Sequence, residues 1–199
     1  MLGGMQDWPL RVMRILDHAE REHGSREIVS LWADHSQTRT TYAGIARDAR
    51  RLAAALTRLG LKKGDRVATL AMNHGRHMAA WYGAIGAGGV IHTINPRLFD
   101  EQLVYIANHA EDRVLFYDAA FAPIVERLRP RWTSIEHYVC FDPPAGEAGF
   151  EELIAAENGR PQAAAWNIGT IGSTTERAER SNTSGPTSHI AWRTVERCS

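Results

Sequence analysis

Between residues 41 and 157, short apolar runs alternate with segments of helical period, and that order leaves few folds open to the chain. Val67 to Ala71, Val90 to Ile94, Val114 to Tyr117 and His137 to Phe141 read as strands, with no regular polar alternation. A strand without a polar face is buried on both sides. The intervening segments, His77 to Ile85, Asp100 to Asn108 and Pro123 to Leu128, suit helices. Strands alternating with helices imply right-handed crossovers. The predicted fold is therefore an α/β domain, with a mainly parallel sheet flanked by helices.

The flanking segments extend this reading. Val12, Ile15, Leu16 and Ala19 follow helical spacing up to Gly24, and Ile28 to Trp32 and Arg39 to Tyr42 form two short strands around Asp34-His35-Ser36-Gln37. The clearest helix carries Ile45, Ala49, Leu52, Leu56 and Leu59 on one face and Arg47, Asp48, Arg51 and Arg58 on the other. Thr41 is placed to cap it and Gly60 to end it. Phe150 to Glu157 reads as a last short helix.

Beyond Asn158 the composition changes. All 14 leucines lie at or before Leu153, and residues 160–199 contain no Leu, Phe, Tyr or Met. Such a stretch cannot bury enough apolar surface to offset a backbone ordering cost of about 1–2 kcal/mol per residue. The expectation is an organised segment over 1–159 and a disordered tail over 160–199.

Several functional classes are disfavoured by composition. Lys+Arg and Asp+Glu are equal at 23 each, so the chain lacks the basic footprint of a nucleic-acid or anionic-membrane binder. The two cysteines, Cys140 and Cys198, are far apart, which fits a reducing compartment better than a disulfide scaffold. Met1 to Met13 has no basic-then-apolar signal pattern. The longest nonpolar run, Met78 to Ile91, is interrupted by four glycines and is shorter than the roughly 20 residues of a membrane span. A cytoplasmic protein is expected.

The candidate chemical motifs each have a plainer reading. The glycine cluster Gly83 to Gly89 follows a helix and precedes a strand, the reverse of a dinucleotide-binding fingerprint, so it reads as a tight, closely packed turn. His74 and His77 lie one turn apart, with His92 and His109 further on, but spacing alone assembles no set of three or four metal ligands. Arg97, in the turn Asn95-Pro96-Arg97, suits a phosphate, a carboxylate or, more commonly, a structural ion pair. Asp112 and Asp118 flank a strand, where capping and solvation are expected. Trp81, Tyr82 and Phe99 are expected in the core. There is no Gly-x-Ser-x-Gly elbow, no Cys-x-x-Cys and no Gly-x-x-x-x-Gly-Lys-Ser/Thr loop.

Four stretches, taken in order and spacing, resemble the AMP-forming acyl-CoA synthetases among the adenylate-forming enzymes. They are Thr41-Tyr42-Ala43 with Ala49 to Ala53 and Leu59-Gly60; Lys63 to Leu70 with Asn73-His74; Gly86 to Leu98; and Tyr105 to Asp112. His92-Thr93-Ile94-Asn95-Pro96-Arg97 together with Asn108-His109-Ala110-Glu111-Asp112 is most similar to the medium- and long-chain fatty acid ligases, a subgroup that includes ligases for short thioether acids. The opening Met1-Leu2-Gly3 fits it too. The resemblance covers residues 1 to 159. It implies a two-step reaction in full-length members: ATP and a carboxylic acid give an acyl-adenylate and pyrophosphate, and the CoA thiol then displaces AMP. In that chemistry Mg²⁺, backbone amides and lysine hold the phosphoryl charge. The resemblance also implies homodimer contacts, or pairing with a full-length synthetase.

The chain departs from the family pattern where the phosphate loop Thr-Ser-Gly-Thr-Thr-Gly-x-Pro-Lys-Gly belongs. Thr183-Ser184-Gly185 imitates its beginning, but Pro186-Thr187-Ser188-His189 follows, and Lys62 and Lys63 are the only lysines. No catalytic, cofactor-binding or metal-binding residue carries over, and no cofactor is expected to bind this chain. The expectation is a truncated synthetase, inactive alone, with residues 160–199 read out of frame.

Overall fold

Local capping bounds the longest helix as its sequence requires. Helix α2, Tyr42–Arg58, begins at Thr41, whose hydroxyl accepts the Gly44 N–H at 3.1 Å. It ends in a Schellman turn: Gly60 N–H donates to the Thr57 carbonyl and Leu61 N–H to that of Leu56, both at 3.0 Å. Gly60 stands at φ +87°, a left-handed conformation that costs glycine little.

A computed structural model describes residues 11–158, in which α2 is one of six helices. The others are α1 (Met13–His23), α3 (Gly75–Gly86), α4 (Asp100–Ala110), α5 (Ala122–Leu128) and α6 (Phe150–Ala155). Strands β1 (Glu27–Leu31) and β2 (Gln37–Thr41) form an antiparallel hairpin. Its tip is fixed by the Asp34 carboxylate, which accepts the Ser36 N–H at 2.9 Å, and by His35 at φ +65°. Strands β3 (Arg66–Leu70), β4 (Val90–Thr93), β5 (Asp112–Tyr117) and β6 (His137–Cys140) form a parallel sheet in the order β4-β3-β5-β6. The predicted elements are present, with boundaries shifted by a few residues. The Met1-Leu2-Gly3 opening, the tail expected over 160–199 and the Thr183-Ser184-Gly185 imitation lie outside the described residues.

The absence of polar alternation in the strands has its explanation in two cores. Val67, Val114 and Phe116 enter a cluster with α1, α2, α3 and α6. Ala68, Leu70, Leu115 and Tyr117 enter a second, with α4 and α5. Successive side chains of a strand point to opposite faces, so neighbouring residues serve different cores, and both faces need apolar side chains. Each fully buried Leu or Phe contributes about 1.5–3 kcal/mol. The glycine cluster is a helix-to-strand turn. Gly88 is at φ +85°, and a Cβ on Gly83 would lie 3.0 Å from the Ala49 carbonyl and the Leu52 side chain. α3 can therefore approach α2 closely only through glycine.

The sheet order also fixes where a ligand cleft would open. β3 leads through α3 to β4 on one side, whereas β5 leads through α5 to β6 on the other. The two connections leave the carboxyl ends of adjacent strands on opposite faces. Open α/β sheets bind ligands at such a switch point.

Candidate functional site at the carboxyl edge of the sheet

The switch point between β3 and β5 is bridged by the protein's own side chains. The loop after β3 ends at His74, the N-cap of α3, whose Nδ1 accepts the His77 N–H at 3.1 Å. That ring nitrogen is therefore unprotonated. Nε2 carries the hydrogen and donates to Asp118 Oδ1 at 2.8 Å, just past the end of β5. The other carboxylate oxygen accepts the Met72 N–H at 2.7 Å. The His74 and Asp118 side chains are only 1% and 5% exposed. The carboxylate thus joins the β3–α3 loop to the end of β5 by two hydrogen bonds, one buried and one partly buried.

His77 secures the same loop from the helix side. Its Nδ1 donates to the Met72 carbonyl at 2.9 Å, which leaves Nε2, 3.0 Å from Thr69 Oγ1, to accept that hydroxyl. Burial holds this imidazole below the ordinary histidine value, while the Met72 carbonyl and Asp118 act the other way. A neutral His77 matches a nitrogen that accepts from threonine. The His74 ring stacks at 4.4 Å on Trp32 and meets Phe141 edge-on at 5.0 Å. Arg76 lies over Trp32, donates to the Phe141 carbonyl at 2.6 Å and pairs with Glu151 at 2.8 Å. Asp142 accepts the Ala119 N–H at 2.7 Å. Burial raises its pKa, and the Asp118 carboxylate adds to that rise.

Beside this network is a cavity of about 530 Å³. One wall is the α3 stripe of His74, His77, Met78, Trp81 and Tyr82, which follows helical spacing. The other wall is β1 at Ile28, Val29 and Ser30, with Thr93 at the end of β4.

The four histidines singled out in the sequence go to three places. His74 and His77 serve the switch-point loop. His92 Nδ1 donates to both Asp112 oxygens at 2.9 Å, across the small Ala68 of β3. His109 stacks on Tyr105 at 5.3 Å on the surface of α4. Among the described residues no group of three His, Cys, Asp or Glu side chains is placed to hold a metal ion.

Several readings of individual residues are corrected. Asp112 and Asp118, expected to be solvated or capping, are 0% and 3% exposed and receive hydrogen bonds from histidines 20 and 44 residues away. Burial pushes the Asp112 pKa up, and the His92 hydrogen bond opposes it. Phe99, expected in the core, is 77% exposed: the chain turns outward before α4, and the Phe99 N–H is met by the Gln102 side chain at 3.2 Å. Trp81 and Tyr82 are half-buried and line the cavity; Tyr82 also packs against the first core, as expected, whereas Trp81 does not. Arg97 is exposed and makes no ion pair with the described residues; its N–H is held by the Asn95 side chain at 3.0 Å. Neither the Asp118–His74 nor the Asp112–His92 pair has a local sequence signal, because the sheet alone brings the partners together.

The sequence model of the AMP-binding enzyme family matches residues 16–182. The chain belongs to that family. It is 54% identical over 143 residues to the 3-methylmercaptopropionyl-CoA ligase of Ruegeria lacuscaerulensis, covering 72% of this chain and 26% of the ligase. It is 41% identical over 155 residues to the long-chain-fatty-acid–CoA ligase of Thermus thermophilus, covering 77% of this chain and 29% of the relative. In three dimensions it is similar to the N-terminal domain of FACL13 from Mycobacterium tuberculosis, with a TM-score of 0.63 and 26% identity, over 73% of this chain and 35% of the other. The chain spans about a quarter of the length of the curated relatives it matches. The resemblance read in the four sequence stretches agrees with the family match and with these two acyl-CoA ligase relatives.

Proposed function

We propose that this chain is the N-terminal segment of an AMP-forming acyl-CoA synthetase that activates a fatty or related carboxylic acid, and that alone it is a scaffold without turnover. The carrying observation is the bridged switch point. Where an open α/β sheet would admit a ligand, the His74–Asp118 bond spans the strand ends, with the Trp32 ring packed on His74. The residues present do not fit ATP and Mg²⁺. No glycine-rich loop leads into a lysine, lysine occurs only at 62 and 63, and no described cluster suits a metal. No chemical step is therefore assigned to ATP, Mg²⁺ or CoA on this chain, and no residue of it is assigned a catalytic role. No helix among the described residues is long and apolar enough to cross a membrane, and a cytoplasmic setting goes with this reading.

The division at 159/160 belongs to the same proposal. It rests on the loss of leucine and of aromatic residues other than tryptophan and histidine after that point, although the family match runs on to residue 182. Translating the coding DNA past codon 159 in all three frames tests it: a frame that resumes with the missing phosphate loop supports the division, and none doing so removes it.

The test of function is release of pyrophosphate from ATP by the purified chain with a panel of short-, medium- and long-chain acids. No acid-dependent release is expected, and robust turnover refutes the scaffold reading.

A second reading is an interaction module that pairs with an intact synthetase. It is favoured by β4, an edge strand whose Val90 is 50% exposed and which carries no lysine or proline. Co-expression with a tagged full-length relative tests it, and failure to co-purify removes it.

A further inference from the structure

The cavity between α3 and β1 has a chemical character distinct from its surroundings. The adjoining cleft of about 420 Å³ is lined by Asp34, Asp142, Glu147, Glu151 and Glu152 against Arg76. The α3–β1 cavity has no acidic, lysine or arginine side chain in its lining. Its two histidines are engaged: His74 accepts one N–H and donates to Asp118, and His77 is held by Met72 and Thr69. At about 530 Å³ it falls within the size range of small-molecule sites, about 300–1,000 Å³.

The walls provide a surface for packing and groups for orientation. Met78 and Trp81 line one side of the space and β1 the other, where Ile28 and Ser30 share the inward face and Val29, 49% exposed, lies at the rim. Ser30 is 3% exposed, and its Oγ accepts the Gly75 N–H at 2.8 Å. That bond uses a lone pair and leaves the hydroxyl hydrogen to give. The Asn73, Tyr82 and Thr93 side chains add further uncharged polar groups to the lining. The groove is open on one side, so a charged ligand would lose part of its hydration against the apolar wall without an opposite charge to meet. An uncharged ligand with one or two acceptor atoms loses little.

We propose that this cavity binds one small uncharged molecule, with a flat or branched apolar body against Trp81 and Met78 and a carbonyl or ether oxygen facing the Ser30 hydroxyl. The site does not depend on the synthetase reading, because it lies wholly within the described residues and requires no adenylation chemistry.

The probe is prodan, an uncharged naphthalene bearing a ketone, titrated by fluorescence at neutral pH into the intact chain, diluted until sedimentation velocity shows a monomer. Saturation at one molecule per chain is expected. Its anionic counterpart, anilinonaphthalene sulfonate, is expected to bind at least tenfold more weakly. Thr93→Trp places bulk at the mouth from an exposed strand end and should weaken prodan binding at least tenfold with an unchanged far-ultraviolet spectrum. Trp81→Ala should do the same by removing one wall. Non-saturating binding, a stoichiometry other than one, or an unchanged affinity in Thr93→Trp overturns the proposal. So does a dimer in sedimentation velocity that Trp81→Ala, on α3 and away from the β4 edge, dissociates, since the cavity would then be an interface between copies.

Discussion

Removing the Asp118 carboxylate should be a damaging polar change in the described structure. Asp118→Ala leaves two donors, the part-buried Met72 N–H and the buried His74 Nε2–H, without the oxygens they meet at 2.7 and 2.8 Å. An unmet buried donor costs about 1–3 kcal/mol, so the two together cost about 2–6 kcal/mol. The loop can relax and admit water to Met72, which places the expected loss near 3 kcal/mol, a large share of a typical domain's total of about 5–15 kcal/mol. Asp118→Asn keeps one oxygen and turns an amide N–H toward the other donor, so about 1–3 kcal/mol is expected. The assay is pulse proteolysis across a urea series, which reads the folded fraction without requiring high solubility. With a slope of about 1–3 kcal/mol per molar urea, a 3 kcal/mol loss moves the midpoint by about 1–3 M. His74→Asn completes a double-mutant cycle: asparagine still caps α3, so the cycle isolates the bond to Asp118. A loss below about 0.5 kcal/mol in Asp118→Ala, within the range of ordinary surface substitutions, would refute the bridge as a structural tie.

Other perturbations probe different parts of the molecule. Asp112 has a pKa raised above the ordinary 3.8 by burial, so its contribution to stability is present below that value and is lost as pH rises through the raised one. Asp112→Asn, which mimics the protonated form, should therefore fare better relative to the parent at pH 7 than at pH 4; a difference in urea midpoint that does not change with pH would contradict this. Gly60→Ala puts a side chain into open space at φ +87° and should cost about 1 kcal/mol by backbone strain alone. Gly83→Ala should cost about 1–3 kcal/mol by overpacking α3 against α2, and thermal melts that rank Gly60→Ala as the worse of the two would reverse the argument. The purified chain should self-associate through β4, and Val90→Lys should reduce light scattering at equal concentration; unchanged scattering would place the association elsewhere.

The helices and strands were legible because their signals are local. α2 shows every part of its definition within 20 residues, from the Thr41 hydroxyl through the Ile45–Leu59 stripe to the Gly60 turn. The order of elements alone excluded a dinucleotide fingerprint at Gly83 to Gly89. The site was not legible in the same way. Asp112 and Asp118 look like ordinary strand-flanking carboxylates until β4, β3 and β5 are laid side by side. Phe99 has the composition of a core residue, and only the path of the chain into α4 turns it outward.

Local periodicity and capping chemistry therefore determined an α/β domain with two-sided strands, and motif order carried the resemblance to acyl-CoA synthetases. Tertiary structure decided that the switch point is bridged by His74 and Asp118, that His92 reaches Asp112 across Ala68, and that an uncharged cavity lies between α3 and β1. The physical reason is range. A hydrogen bond or a helix stripe within one element is set by residue spacing. A buried acid is made tolerable only by a donor that the fold brings from tens of residues away.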